Sequence, residues 1–375
     1  MNDTPQFFLD LDGLKDGIAL CLSGGGYRAM LFHAGSIWRL NELGLLKKIN
    51  LVSSVSGGSI TSGALAVAWK GLQWDPSGKA TNLAEKFLAP IQKQAGDGID
   101  YESIAVGLLP WEHAFQQVAK SYAKNIIGEA TTLQDLPGDV EFVFNTTSLM
   151  TGRDWNFSRA RAGDWRVGSV PSPRFLLSEV VAASSAFPPF LSPATFDLTG
   201  YQMTPPLGDQ SLFKPPYTTK AYLFDGGVYD NMGLEPAWKR YRTLLVSNAG
   251  HPFAAADEPH TDWFNQLRRI LDITMDQEEA LRVRLLIYMY EAALRHGAVW
   301  GLGIRISKAV LLPALLSPEE DATANGMRTR LNVFTAEEQK LLMKAGYAHA
   351  DDAIRAHYAA EAGLPLDPGL TPPMV

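Results

Sequence analysis

The stretch that decides the fold is IALCLSGGGYR, residues 18–28. Its first five residues form an apolar run with the length of a buried strand, and three consecutive glycines then end that strand in a tight turn. Residues 27–43 place apolar side chains at helical spacing, and Gly44 is typical of a helix end. The stretch therefore predicts a buried strand, a glycine turn and a helix.

The same order of elements recurs immediately along the chain. A second apolar run ends in LVSSVSGG, residues 51–58, and a second helix is predicted from about Ile60 to Trp69. Two such units in succession indicate parallel strands, joined by crossover helices that cover both faces of the sheet. We expect an α/β fold, a three-layer sandwich around a mainly parallel central sheet.

The rest of the chain is predicted to complete one domain over residues 1–375. We expect a catalytic core at about 15–250, followed by a helical C-terminal extension at about 255–375. Residues 188–220 hold seven prolines and little periodicity, which indicates a long loop and a candidate lid.

Composition excludes several classes of protein. The net charge of −7 argues against a nucleic-acid binder. The single cysteine, Cys21, rules out an intramolecular disulfide framework and indicates a reducing compartment. Residues 1–16 lack the basic start and apolar run of a secretory signal, and no apolar run approaches the roughly 20 residues of a membrane span. We expect a cytoplasmic protein that contacts membranes only from its surface.

Ser56 is the candidate nucleophile. A serine in a tight turn between strand and helix is pushed out of the sheet, and its hydroxyl meets the positive end of the helix. The turn needs small residues two positions before and after the serine, and Ser54 and Gly58 occupy them. The usual pattern has glycine at the first of these positions, so Ser54 departs from it.

The glycine turn at Gly24, Gly25 and Gly26 supplies the second part of a site. Acyl transfer builds negative charge on a carbonyl oxygen, and main-chain amides free of a Cβ can approach that oxygen. The turn lies one βα unit before Ser56, so a parallel sheet brings the two turns together at the carboxyl ends of its strands. Arg28 adds a positive charge at the edge of the turn.

Asp225 is the best candidate for the base that Ser56 needs. It directly follows a predicted strand, residues 222–224, and two glycines after it permit a sharp exit. A carboxylate with an ordinary pKa of about 4 is a weak base for a serine. We therefore expect burial, or a short hydrogen bond to Ser56, to adjust it. The chemistry requires no metal and no cofactor.

These motifs, taken in order, resemble the patatin-like phospholipase family. SGGGYR at 23–28, SVSGG at 54–58 and DGG at 225–227 are similar to its pattern, as are ASSAFPPF at 183–190 and DGGVYDNMGLEP at 225–236. The likeness covers roughly residues 15–250. Ser54, and Ala29 in place of a frequent glycine, are the visible departures.

The resemblance implies a Ser–Asp dyad of Ser56 and Asp225 with no catalytic histidine. It also implies an oxyanion hole from the main chain of Gly24–Gly26, with Arg28 near the anionic part of the substrate. The substrate is expected to be a phospholipid or another acyl lipid at a membrane surface, and acyl transfer to another alcohol suits the same machinery. Because uncontrolled phospholipase activity threatens its host, we expect regulation by a small-molecule activator, a partner or a homo-oligomer, as in a membrane-degrading effector.

Structural roles compete with functional ones for several residues. A structural ion pair explains Arg28 as well as substrate contact does, and His33 is expected to be a satisfied histidine rather than a base. Four cations could form a basic patch, but solvated helix faces explain such charges in most proteins: Arg282, Arg284, Arg295 and Lys308.

Other classes of protein were weighed against the acyl hydrolase. A dinucleotide-binding oxidoreductase fits the spacing of glycines at 24 and 26, but it needs an acid near the end of the second strand, where this chain has serines. A Ser-His-Asp α/β-hydrolase remains open, with His251, His260 or His296 as the histidine. A non-catalytic lipid-binding module of the same fold also remains open.

Overall fold

The computed structural model describes residues 13–99, 111–250, 253–304 and 315–364. Within these residues the chain forms one sheet of ten strands. The strands are β1 (Lys15–Leu22), β2 (Ile49–Val55), β3 (Glu141–Ser148), β4 (Asp154–Phe157), β5 (Arg161–Asp164), β6 (Gly168–Pro171), β7 (Ala194–Asp197), β8 (Lys220–Asp225), β9 (Tyr241–Asn248) and β10 (His296–Gly301).

Helices precede, connect and follow these strands. They are α1 (Gly26–Glu42), α2 (Gly57–Trp69), α3 (Ala89–Asp97), α4 (Trp111–Tyr122), α5 (Leu177–Ser184), α6 (Gly227–Asp230), α7 (Glu235–Trp238), α8 (Trp263–Glu291), α9 (Pro318–Gly326) and α10 (Ala336–His357). None of the helices in the described ranges is long and apolar enough to cross a membrane.

The sheet is parallel on one side and antiparallel on the other. Strands β10, β9, β1, β2 and β3 lie side by side and run parallel. Beyond β3, the strands β4, β5 and β6 are antiparallel, and β8 pairs antiparallel with both β3 and β7. The prediction of a parallel sheet is thus confirmed for the strands next to the glycine turns. From β3 to β6 the strands are antiparallel, because the connections between them are too short for parallel crossovers.

Side chains of β1 divide between two apolar cores, one on each face of the sheet. Leu20 and Leu22 join the larger core with helices α1, α2 and α10. Ala19 and Cys21 face the smaller core, which α8 closes with Leu286. The alternation follows from the period of two in a strand, and it confirms the predicted three-layer α/β sandwich.

The C-terminal segment contributes to the sheet as well as to the helices. Strand β10 extends the sheet beside β9, although the sequence predicts only helices after residue 255. Glycines are unusual inside a strand, so the sequence of β10 does not have a typical strand pattern. The close packing against β9 requires them, because a Cβ on Gly297 would lie 1.9 Å from the Leu244 carbonyl oxygen. Helix α10 packs closely on α1, because Gly35 and Gly346 bring the two main chains together.

The proline-rich segment 188–220 is not the structureless loop that the sequence predicts. Residues 194–197 form β7, which pairs with β8. Phe196 packs against Phe157 and Phe175 with ring centroids 5.0 and 5.1 Å apart. Residues 191–198 are therefore anchored in the core, and residues 188–191 line the cavity described next.

Candidate active site

Ser56 lies in a strained turn between β2 and α2. Its φ of 51° falls in the left-handed region, and its side chain is 8% exposed. The turn is crowded: a Cβ on Gly58 would lie 2.3 Å from the Leu22 carbonyl oxygen. Ser54 fits the position usually held by glycine, since its buried hydroxyl donates to the Val143 carbonyl and accepts from Ser59.

Asp225 ends β8 next to this turn. Strand β8 runs antiparallel to β3, and Asp225 at its end pairs with Thr146. Val55, the residue before Ser56, pairs with the neighbouring residue of β3, Asn145. The Ser56 hydroxyl lies near enough to the Asp225 carboxylate to lower its pKa. The amide of Gly227 donates to the same carboxylate at 2.8 Å. The two residues that the sequence singled out are thus brought together.

Burial raises the pKa of Asp225, which is the direction that a base for Ser56 requires. The side chain is 3% exposed. Loss of solvation raises its pKa to about 7, while the hydrogen bonds from Gly227 and Ser56 lower it in part. A carboxylate that ionises near neutral pH is a stronger base than an ordinary aspartate, and about half of it is charged at pH 7.

A third serine, Ser184, fixes the geometry of the pair. Its hydroxyl accepts from the Ser56 amide at 3.0 Å and donates to the Asn145 carbonyl at 2.7 Å. Two residues further on, the Ala186 carbonyl accepts from the Asp225 amide at 2.9 Å. Residues 184–186 therefore hold both Ser56 and Asp225. Nothing in the sequence of this segment, beyond its similarity to a family pattern, indicates that role.

The glycine turn lies against Ser56. A Cβ on Gly24 would be 3.2 Å from the Cβ of Ser56. The Gly24 amide, however, donates to the Asn231 carbonyl at 2.9 Å. The amides of Gly25 and Gly26 make no hydrogen bond within the described part of the chain. Their φ values of 133° and 58° suit glycine. The Gly24 amide is therefore already used inside the protein, and the amides of Gly25 and Gly26 remain as the candidate donors to an oxyanion.

A cavity of about 640 Å³ opens over these groups. Ser56, Asp225 and the two glycines lie in its wall. Apolar residues from the start of the proline-rich segment form another part: Phe187, Pro188, Pro189, Phe190 and Leu191. Helix α8 and the segment after α9 complete it with residues of mixed charge: Arg268, Arg269, Asp272, Asp276, Glu279, Arg328 and Arg330. Its volume and apolar lining suit a chain-like substrate with a polar end.

The family model of the patatin-like phospholipases matches residues 20–238, more than half of the chain. The chain belongs to that family. No curated protein matches the sequence significantly.

Several solved structures are similar to this chain, two of them over nine tenths of it. Human GIVD cytosolic phospholipase A2 has a TM-score of 0.47 and 12% identity, over 91% of this chain and 59% of that one. VipD from Legionella pneumophila has a TM-score of 0.38 and 16% identity, over 91% and 67%. ExoU from Pseudomonas aeruginosa, solved with SpcU, has a TM-score of 0.26 and 16% identity, over 47% and 39%. The chain therefore spans about three fifths of the length of the human enzyme.

Arg28 is buried and its guanidinium is used inside the protein. It donates to the carbonyls of Asn325 at 2.9 Å, Met327 at 3.3 Å and Ala249 at 2.7 Å. Burial lowers its pKa to about 10, and the Glu279 carboxylate raises it, so the group stays charged. The guanidinium of Arg28 therefore binds the protein's own main chain instead of the anionic part of a substrate that the family resemblance implies. Its partners are carbonyl oxygens, not the acidic side chain that a structural ion pair would need.

No histidine in the described part of the chain lines the cavity that contains Ser56 and Asp225. His33 is fully buried between the Ser247 hydroxyl and the Ser23 carbonyl, and burial lowers its pKa to about 4. It is the satisfied, neutral histidine that the sequence analysis expected. His296 contacts Glu361 at 2.9 Å, and His260 is exposed. His251 lies outside the described residues.

The candidate basic patch divides into separate contacts. Arg282 pairs with Glu278 and Glu235, whereas Arg295 is buried and donates to the carbonyls of Leu294 and Trp238. Arg284 is exposed on α8. Lys308 lies outside the described residues. Arg282 and Arg295 therefore have structural roles and form no common surface for an anion.

Proposed function

We propose that this protein is a phospholipase A-type acyl hydrolase, which cleaves fatty-acyl esters of membrane lipids through an acyl-enzyme on Ser56. The observation that carries the proposal is that Ser56 and a buried Asp225 lie together in the wall of a cavity of about 640 Å³, close enough for the hydroxyl to lower the pKa of the carboxyl. A serine beside a carboxylate of raised pKa has a base in position to take its proton.

In the first step, Asp225 accepts the Ser56 proton while the hydroxyl oxygen attacks the acyl carbonyl. The carbonyl carbon becomes tetrahedral and its oxygen gains negative charge, which the amides of Gly25 and Gly26 stabilise. Asp225 then gives the proton to the departing alcohol. The lyso-lipid or glycerol derivative leaves, and the fatty acid remains as an ester on Ser56.

In the second step, water replaces the alcohol. Asp225 takes a proton from the water, the hydroxide attacks the acyl carbonyl, and the same two amides hold the second oxyanion. The proton returns to the Ser56 oxygen as the fatty acid leaves. Proton uptake and release thus alternate on one carboxyl, which suits a pKa of about 7.

The test measures fatty acid released from mixed phospholipid vesicles by wild type, Ser56→Ala and Asp225→Asn. We expect wild type to release fatty acid, both variants to lose at least about 1,000-fold in rate, and a fluorophosphonate probe to label Ser56 in the wild type. Absence of both turnover and labelling in wild type would instead favour the non-catalytic lipid-binding module.

The Ser-His-Asp alternative needs its own variants. We expect His251→Ala, His260→Ala and His296→Ala each to keep activity within a few-fold of wild type. If one histidine variant loses as much activity as Asp225→Asn, the mechanism uses a Ser-His-Asp triad and not a dyad. Regulation by an activator, a partner or self-association, an effector role and a cytoplasmic location stay predictions from the sequence.

A further inference from the structure

The N-terminal half of α8 carries large apolar side chains on its outer surface. Trp263, Leu267 and Ile270 are 74, 58 and 57% exposed. Their spacings of four and three residues place them on one face of the helix, and we call these three residues the α8 stripe. Single exposed apolar residues are ordinary, but a contiguous group of large ones marks an interaction site.

The opposite face of the same helix forms part of the active-site cavity. Arg268, Met275 and Glu279 line the cavity together with Ser56. Successive residues of an α-helix are 100° apart, so these three residues lie roughly half a turn away from the stripe. Whatever covers the α8 stripe is therefore separated from the cavity by the thickness of one helix.

Aromatic rings connect the stripe with the inside of the cavity. The ring of Trp263 lies 6.0 Å from that of Phe264, and Phe264 lies 6.4 Å from Phe190. Phe190 lines the cavity, as does Phe253, which is 37% exposed. An apolar surface thus continues from the outside of α8 around its edge to the cavity that contains Ser56.

We propose that the α8 stripe is the surface on which this protein docks to a lipid bilayer. The proposal rests on the proposed function, because the substrate of a lipid acyl hydrolase is held in a bilayer. Tryptophan favours the boundary between headgroups and acyl chains, and Leu267 and Ile270 would enter the acyl region. A lipid leaving the bilayer would then pass Phe264 and Phe190 on its way to Ser56.

A second copy of the chain fits the stripe less well than a bilayer does. Two helices pack along a seam only when apolar residues recur at alternating spacings of three and four. Continued along α8, that spacing reaches the exposed polar residues Thr274 and Gln277. Beyond them it alternates apolar and polar side chains, namely Leu281, Arg284 and Tyr288. The seam is therefore interrupted in the middle of α8, whereas a bilayer needs only the apolar patch beside the cavity.

The charges around the cavity indicate an apolar rather than an electrostatic attachment. The chain has a net charge of −7, which an anionic bilayer repels. At the rim, Arg268 and Arg269 are offset by Asp272 and Asp276. Docking through the α8 stripe should therefore change little with salt concentration.

The test compares two double variants that remove the same side-chain types from exposed positions. Trp263→Ser/Leu267→Ser changes the stripe. Trp165→Ser/Leu207→Ser is the matched control, since Trp165 is 64% exposed and Leu207 fully exposed, and neither lines the cavity. Both are made in the Ser56→Ala protein, so that the vesicles stay intact. Flotation with equimolar phosphatidylcholine and phosphatidylglycerol vesicles measures binding.

We expect the stripe variant to partition onto vesicles roughly 10- to 100-fold more weakly and the control to bind as before. With Ser56 restored, the stripe variant should lose vesicle hydrolysis by a similar factor but keep hydrolysis of a short-chain ester in solution. Unchanged flotation of the stripe variant, or equal loss by the control, overturns the proposal. So does a wild-type dimer that the stripe variant dissociates. If wild type hydrolyses neither substrate, the proposed function fails while the flotation result still decides docking.

Discussion

Replacing Asp225 by asparagine should stabilise the protein at high pH while it abolishes turnover. The carboxyl is buried and ionises at about pH 7 in the folded protein, against an ordinary value of 3.8. Between these two values the folded state keeps a proton that the unfolded state has lost. The free energy of unfolding therefore falls as pH rises, by up to about 1.4 kcal/mol per pH unit, until the folded carboxyl has also ionised.

The variant has no carboxyl to ionise at this position, so it escapes that loss. Between pH 5 and pH 8, its stability relative to wild type should increase by about 3 kcal/mol. Comparing the two pH values removes the constant effect of asparagine on packing and on the hydrogen bond from Gly227. Urea unfolding, followed by tryptophan fluorescence at both pH values, gives the free energies directly.

Ser56→Ala is the control, because it is also inactive but keeps the carboxyl. Its stability should fall between the two pH values at least as much as that of wild type, because loss of the Ser56 hydroxyl raises the pKa of Asp225 further. If the relative stability of Asp225→Asn changes by less than about 1 kcal/mol between the two pH values, the carboxyl is not held at a raised pKa. The proposed tuning of the base would then be wrong, whatever the variant does to turnover.

Three further predictions concern the same region. The kcat/KM of wild type should rise with pH through about 7 as Asp225 ionises; a profile flat between about pH 5 and 9 would contradict its role as base. Gly26→Ala should lose at least about 10-fold in kcat, since its Cβ would lie 1.7 Å from the Thr329 carbonyl oxygen. Gly44→Ala is the control, because Gly44 has a similar positive φ but lies outside the site. It should lower the free energy of unfolding and leave kcat unchanged. If both variants lose kcat equally, the assignment of Gly26 to the oxyanion hole is wrong. Arg28→Met should destabilise the fold by about 3 kcal/mol or more, because three carbonyls lose a charged donor; urea unfolding within about 0.5 kcal/mol of wild type would disprove this.

The sequence predicts the parts of the site that local rules govern. The turns at Ser56 and at the three glycines can be predicted because a tight turn requires small residues at fixed spacing, and that requirement is local. Asp225 is found by the same signal, a strand followed by glycines. Its contact with Ser56 depends on β8 running antiparallel to β3, which no local pattern announces.

Long-range contacts explain what the sequence analysis missed or misread. Ser184 resembles any helix-end serine until the fold brings it against the Ser56 amide, 128 residues away in sequence. The role of Arg28 depends on carbonyls almost 300 residues later. Strand β10 was missed because its glycines, which weaken a strand pattern, serve the close packing against β9.

The partners of Arg28 also bear on when the cavity is completed during synthesis of the chain. Ser56 and the glycine turn leave the ribosome early, but Thr329 and Leu331, which line the same cavity, follow more than 270 residues later. Arg28 stays without two of its carbonyl partners until that late segment arrives. A nascent chain therefore carries Ser56 without a finished cavity around it. If the proposed function holds, lipid hydrolysis must wait until the last part of the chain has folded.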